Sequence, residues 1–514
     1  MKRIVFLTIA TLLVLGLVLA GCDGNGVPDT IKIAVVGPMT DLQGQNHWDG
    51  ATMAMEEIND AGGVDVGGTM YDVELVKVET KEATEGETGD TGTANLNAII
   101  DDVTFCVGGF RTEVVTVYRE VAMDAGVLFM NCGAATGALQ FSVVTDYPDY
   151  KYWFKSTPYN ETFLVKSCLK MAATIGNGVF KATLAGTEAA YPDLLDPNYE
   201  ISSAVGGLLR VEILMESAEW CTGMVAAAQY YLPLIGFNVT GTTLVSPTAS
   251  DISSELSTLA GRYPHIIFTA FSGSVGAVYS IQKNSLGIPA LTLGINVPGQ
   301  QFSHWANTGG ACKGEIMLDT FPIGVNVTPL TADWVDDFVA RFDRYPVYTA
   351  ATYDSIKAVV KAIDETNSLD SDVLVAWLEN PANAYTEGVG TPTTAYYQIP
   401  AIEITPGELY ALNQTQKEVL YGTDWTYVQS EWMCGFASGV QQPHIAHDTV
   451  YGPGYQTGTG TQWQEVTGAG VKVGIWPIYL GPAYDAALTD QYGNWNFAYP
   501  GTVAPYIDMT GFLP

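Results

Sequence analysis

IKIAVVGPMTDLQGQNHWDGATMAMEEINDAGG, residues Ile31–Gly63, decides the fold. Ile31–Thr40 is a β-rich apolar run ended by Gly-Pro, the pattern of a buried strand. Trp48, Ala51, Met55 and Ile58 then fall at helical spacing, and Gly62-Gly63 closes that helix. YDVELVKVE (Tyr71–Glu79) alternates as a strand does. Strand, helix and strand in this order build a parallel sheet.

The rhythm continues outward. VTFCVGGF (Val103–Phe110) and LFMNCG (Leu128–Gly133) read as strands around a helix, EVVTVYREVAMDAGV. It restarts after Pro158, where ETFLVKSCLKMAATIG reads as a helix and KATLAGTE (Lys181–Glu188) as a strand. IIFTAFSG (Ile266–Gly273) and ALTLGIN (Ala290–Asn296) are further strands. Thr331–Tyr345, Thr349–Thr366 and Asp370–Asn380 are helical. From Pro381 the texture changes to Pro, Gly, Thr and Tyr, and Pro381–Gln442 carries no motif that points to a function. The tail, with QWQEV and VKVGIW, has the look of a hairpin. The expected fold class is therefore α/β with mostly parallel sheets. A chain of 514 residues is too long for one core, so two lobes or more are expected.

The amino-terminus has its own logic. Lys2 and Arg3 precede an apolar run, Ile4–Ala20, and then Gly21 and Cys22. This is the order of a secretory signal peptide. Leu19-Ala20-Gly21-Cys22 resembles a lipobox, which makes residues 1–21 the signal peptide, Cys22 the lipidation site and residues 22–30 the lipid tether. The protein is then expected outside the cytoplasm, lipid-anchored to a membrane, periplasmic or at the cell surface. Without Lys2 and Arg3 there remain 20 basic against 55 acidic residues, a net charge of −35. That balance argues against nucleic acid, which needs a basic footprint.

Six further cysteines, Cys106, Cys132, Cys168, Cys221, Cys312 and Cys434, are widely spaced with no CxxC, which argues against zinc. Disulfides and buried free thiols both stay open. His444 and His447 in PHIAHD read as solvated loop histidines, and no metal or other cofactor is expected. Sequons at Asn160, Asn238, Asn326 and Asn413 fit surface loops. No dinucleotide fingerprint, Walker A, HExxH or GxSxG motif is present, so no catalytic residues are assigned and no enzyme is expected.

Ile31–Val76, with its Gly-Pro-x-Thr loop and INDAGG turn, resembles the opening of type I periplasmic binding proteins. That family includes the leucine/isoleucine/valine receptors of ABC importers. The resemblance continues through VTFCVGGFRTEVV and GVLFMNCGAATGAL. It implies two Rossmann-like lobes joined by three crossover strands, near Lys151–Thr157, Met317–Ile323 and Asp448–Tyr455. Residues 31–155 and 318–447 would form lobe 1, and residues 156–317 and 448–514 lobe 2. Ligand would be held in the cleft by hinge closure.

The resemblance also implies a site. Ala134-Ala135-Thr136 matches the turn that holds an amino-acid head group, and Thr112 falls on a carboxylate-binding serine. Arg111 departs from the pattern: it either clamps a carboxylate or pairs with Glu113. Tyr191, Phe271 and Ser272 fall on the second lobe's side, and Trp48 is a candidate wall. Asn296 stands where many members carry an acid for the ligand ammonium. An unpaired buried ammonium is costly, so the ligand is expected not to be an ordinary α-amino acid; an amide, an aromatic carboxylate or another small organic acid suits Arg111, Thr112 and Asn296.

The function implied is a solute-binding receptor of an ABC importer, with permease and ATPase as separate chains. A ligand sensor of the same fold, or a surface hydrolase or adhesion protein, are the alternatives.

Overall fold

The computed structural model describes residues 29–83, 88–157, 160–190, 196–201, 205–321, 328–380, 383, 385, 387–390, 447 and 459–476. Two sheets organise them. The first is built from β1 (Asp29–Gly37), β2 (Val64–Val66), β3 (Thr69–Glu79), β4 (Phe105–Gly108), β5 (Leu128–Asn131) and β6 (Trp153–Lys155). Its order is β2-β3-β1-β4-β5-β6, parallel throughout except for the β2–β3 hairpin.

The second sheet is built from β7 (Leu209–Glu216), β8 (Phe237–Val245), β9 (Ile266–Phe271), β10 (Leu291–Asn296), β11 (Ile316–Asp319), β12 (Thr459–Val466) and β13 (Ala469–Trp476). Its order is β13-β12-β11-β10-β9-β7-β8. The β11–β12 and β12–β13 pairs are antiparallel and the remaining pairs are parallel.

Both sheets are covered on two faces, as parallel sheets require. In β1, Ile31, Ile33 and Val35 enter one core while Ala34 and Val36 enter the other, the period of two expected of a strand. The first of these cores is closed by the helices Leu42–Asp60, Thr331–Phe342, Thr352–Thr366 and Ser371–Leu378. In the second sheet, Val211, Ile213 and Met215 face one core and Leu214 the other.

The expected strand at Lys181–Glu188 is absent. Helix Glu161–Met171 runs through a π-helical stretch, Ala172–Phe180, into helix Lys181–Ala190. The segment is rich in alanine, with leucine, lysine and glutamate, all good helix formers. Its two β-branched residues bond back along the helix, Thr183 to the Val179 carbonyl and Thr187 to that of Thr183.

Three smaller expectations also change. Asn160 is no surface sequon: it is buried and caps helix Glu161–Met171, accepting from the amides of Thr162 and Phe163. Asn326 and Asn413 lie outside the described residues. His447 is no solvated loop residue. It is buried, stacked on Phe154 at 3.8 Å, with Nδ1 against the Trp153 carbonyl and Nε2 2.6 Å from Glu379. Cys106, Cys132, Cys168, Cys221 and Cys312 are free and buried, while Cys22, Cys434 and His444 lie outside the described residues.

Candidate functional site

Each sheet has a point where its strand order reverses. β1 lies between β3 and β4, and β7 between β8 and β9. Loops leaving the carboxyl ends of such strands diverge and leave a crevice. The two crevices face each other. From the first sheet come Phe110 and Arg111 after β4, and Gly133 and Ala135 after β5. Opposite stand Ala218 and Trp220 after β7, Ser272 after β9, and Val297 and Gln300 after β10. Leu318, Asp319 and Thr320 close the cleft beside Tyr348. The space measures about 610 Å³, its open mouth included. Close backbone approach shapes it: a Cβ on Gly133 would lie 1.7 Å from the Gly109 carbonyl.

Few polar groups reach this apolar cleft. The Arg111 amide donates to Glu82 at 2.7 Å, but its guanidinium has no hydrogen-bond or ion-pair partner among the described residues. Glu82 is buried, and desolvation pushes its carboxyl up to about 7 against the Arg111 amide and the Thr80 hydroxyl. Across the cleft, buried Glu216 collects Trp220 Nε1 at 2.7 Å, the Ser272 amide at 2.8 Å and hydroxyl, and the Gly273 amide at 3.0 Å. That carboxylate fixes the Trp220 wall. Asp319 pairs with Lys472, whose ammonium also donates to the Gln300 carbonyl at 2.7 Å. Burial raises the Asp319 pKa, and Lys472 opposes the shift. The Gln43 side chain crosses between the sheets to the Ser272 carbonyl at 3.0 Å.

The Ala134–Thr136 turn is already filled by the chain itself. Asn131 holds the turn, donating to the Ala134 carbonyl at 2.8 Å. The Ala135 carbonyl accepts Lys155 Nζ at 3.1 Å and the Glu161 amide at 2.8 Å. The Glu161 carboxylate takes the Gly137 amide at 2.6 Å and the Thr136 hydroxyl at 3.3 Å. Burial pushes Glu161 up to about 7, resisted by Lys155, the Gly137 amide and the Thr136 hydroxyl.

Of the residues expected at the site, Arg111, Ala135 and Ser272 meet in the cleft. No Arg111–Glu113 ion pair is found among the described residues. Ala134 and Thr136 are buried and are not among the lining residues. Thr112 is buried with its hydroxyl unpartnered, outside the cleft lining. Phe271 points to the far face of its sheet, packed on Tyr279 at 5.2 Å. Asn296 is turned inward, with Nδ2 3.3 Å from the Gly276 carbonyl and 3.4 Å from Glu315. Trp48 packs beneath Lys77, 4.2 Å from its ring. Tyr191 lies outside the described residues. Trp220, Gln300, Tyr348, Asp319, Lys155 and Glu161 were missed. Trp220 was reachable, since it sits four residues beyond a strand end; the buried lysines carry no local sequence signal.

Comparison with known proteins agrees with this architecture. A family model described as "Periplasmic binding protein" matches residues 204–396. No curated protein matches the chain. The branched-chain amino acid transporter substrate binding protein LivJ from Streptococcus pneumoniae, in complex with isoleucine, aligns at 15% identity. It covers 87% of this chain and 99% of that one, with a TM-score of 0.57. Leucine binding protein LivK from Thermotoga maritima aligns at 14% identity over 86% and 97% of the two chains, TM-score 0.57. A solute binding protein of an ABC transporter from Rhodopseudomonas palustris, in complex with 3,4-dihydroxybenzoic acid, aligns at 15% identity over 87% and 96%, TM-score 0.59. The resemblance read from Ile31–Val76 is thereby borne out: the protein has the two-sheet fold of type I periplasmic binding proteins, and residues 204–396 carry that family's pattern.

Proposed function

We propose that the protein is an extracytoplasmic solute-binding receptor of an ABC importer. It captures a small amino-acid-like, amide or carboxylate ligand between two lobes and catalyses nothing. The observation that carries this reading is the apolar cleft between the two sheets, with the unpartnered Arg111 guanidinium in its wall. Apolar lining with a few placed polar groups is how small-ligand sites are built. The similar proteins support it: those from Streptococcus pneumoniae and Rhodopseudomonas palustris are described in complex with isoleucine and with a hydroxylated benzoic acid.

Residues 31–155 with 318–447 act as one lobe and 156–317 with 448–514 as the other; the gathering of β1–β6 in one sheet and of β7–β10, β12 and β13 in the other supports this division, with β11 lying across its 317/318 boundary. Arg111, Ala135 and Ser272 contact ligand. No described helix is long and apolar enough to cross a membrane. Lipid on Cys22 holds the receptor at the membrane, where separate permease and ATPase chains accept its cargo.

A thermal-shift panel of amino acids, amides and aromatic or aliphatic carboxylates tests the reading. Ligand at 100 times its Kd adds about 2.7 kcal/mol. A hit confirmed by calorimetry and lost in Trp220→Ala supports it, and a folded protein that binds no member of the panel refutes it.

A further inference from the structure

The cleft also says what kind of ligand it takes, an inference that rests on the receptor reading above. An ammonium entering the cleft finds no unpaired carboxylate among the residues that line it. Glu216 is held by four donors from Trp220, Ser272 and Gly273. Asp319 is paired with Lys472. Glu161 is bound to Gly137 and Thr136, and the Ala135 carbonyl is taken by Lys155 and by the Glu161 amide. The Lys155 ammonium and the Glu161 carboxylate together supply, from the chain, both charges of an amino-acid head group at this turn.

Two groups of the lining have no hydrogen-bond or ion-pair partner. One is the partly exposed Arg111 guanidinium, whose charge is felt by the Glu82 and Asp41 carboxyls nearby. The other is Gln300 Oε1, on a side chain only 3% exposed. The Gln300 amide cannot simply turn over. Its Nε2 donates to the Leu318 carbonyl at 2.9 Å, which leaves Oε1 as an acceptor without a donor. Both residues line the same cleft, separated by apolar and aromatic walls from Phe110, Trp220, Ile295 and Tyr348.

We propose that the cleft selects an apolar organic monocarboxylate bearing one hydroxyl or N–H donor away from its carboxylate, and rejects zwitterionic α-amino acids. Arg111 binds the carboxylate, in the planar two-point geometry that guanidinium favours. Gln300 Oε1 accepts from the distal donor. A site built to hydrogen-bond a hydroxyl rejects the analogue lacking it, because its buried acceptor is then left unpaired.

The test is calorimetric titration of the purified full chain with 4-hydroxybenzoate, benzoate and leucine as probes. 4-Hydroxybenzoate is expected to bind, benzoate at least tenfold more weakly, and leucine not at all up to millimolar concentration. Arg111→Gln should weaken 4-hydroxybenzoate at least a hundredfold. Gln300→Met, nearly the same volume, should erase the difference between the two benzoates; the comparison of probes on the parent needs no variant and stands if that one fails to fold. Micromolar leucine binding, or equal affinity for benzoate and 4-hydroxybenzoate, overturns the ligand class but leaves the receptor reading intact. Binding of none of the three overturns the ligand class, and if no amino acid, amide or carboxylate of the thermal-shift panel binds either, the receptor reading falls with it.

Discussion

Lys155 donates its buried ammonium to the Ala135 carbonyl at 3.1 Å, across the turn that follows β5 of the first sheet. Lys155 closes that sheet at its edge, and Glu161 begins the helix that covers the second. The two charges therefore stitch the turn to both sides of the first crossover. A buried charge is tolerated only when paired and hydrogen-bonded, so the arrangement is expected to act as a unit.

Lys155→Met should thus cost about 3–5 kcal/mol, the usual penalty for leaving one member of a buried ionic group alone. Glu161→Gln should also destabilise. The double variant should lose less than the two single losses combined, because the second change removes the charge that the first one stranded. Urea unfolding of the four proteins measures this. Strict additivity would show that Lys155 and Glu161 do not share an interaction.

Glu161 also gives a pH signature. Its carboxyl is raised by burial from 4.5 to about 7 in the folded protein. A raised folded pKa means that the folded state holds a proton that the unfolded chain has released. The group's contribution is fully present below about pH 4.5 and is lost as pH rises through 7. Relative to Glu161→Gln, the parent should therefore lose about 3 kcal/mol of stability between these limits. The comparison must be made between the two proteins. Buried His47, His265 and His304, each pushed down to about 4 by desolvation, titrate in the opposite sense and lose their contribution as pH falls from about 6.5 through 4. A parallel pH profile for parent and variant would rule out the raised carboxyl.

Much of this fold is legible in the sequence, because the information is periodic and local. Ile31, Ile33 and Val35 against Ala34 and Val36 spell a strand with two covered faces, and Gly62-Gly63 ends the helix that follows. Lys181–Glu188 misled because the short alternation of Leu184 with polar neighbours resembles an edge strand, while its alanines continue a helix begun twenty residues earlier. The site is less legible. Arg111, Ala135 and Ser272 follow strand ends, where loops gather, and it is the family resemblance that points to them. Asn296 and Phe271 also end strands, yet side chains there alternate between faces, and both turned into the packed side. Lys472 and Asp319 are 153 residues apart, and no pattern of spacing announces such a pair.

Trp220 is expected to govern the shape of the cleft through Glu216. Its Nε1 donates to that buried carboxylate at 2.7 Å. Trp220→Phe keeps an aromatic wall but removes this donor, leaving Ser272 and Gly273 to hold the charge. Loss of a hydrogen bond to an ionised group costs about 1.5–3 kcal/mol. The melting temperature should fall, and ligand affinity should fall with it because the wall is no longer oriented. Unchanged affinity with a lowered melting temperature would confine Trp220 to a structural role.

Lys472 is the tail hairpin's contribution to the cleft. It projects from β13 into the interior, pairs with Asp319 and donates to the Gln300 carbonyl at 2.7 Å. Both partners lie in the cleft lining, so the hairpin fixes the two residues that face the ligand from the floor. Lys472→Met leaves Asp319 buried with its charge unpaired, which should cost about 3–5 kcal/mol. Asp319→Asn on that background should restore part of the loss, since a neutral amide no longer needs the ammonium. Ligand affinity should stay low in the rescued protein, because Gln300 has still lost the bond that positions its backbone. Denaturant midpoints separate the stability effect, and calorimetry separates the binding effect. Full recovery of both in the double variant would mean that Lys472 serves only to neutralise Asp319 and does not position Gln300.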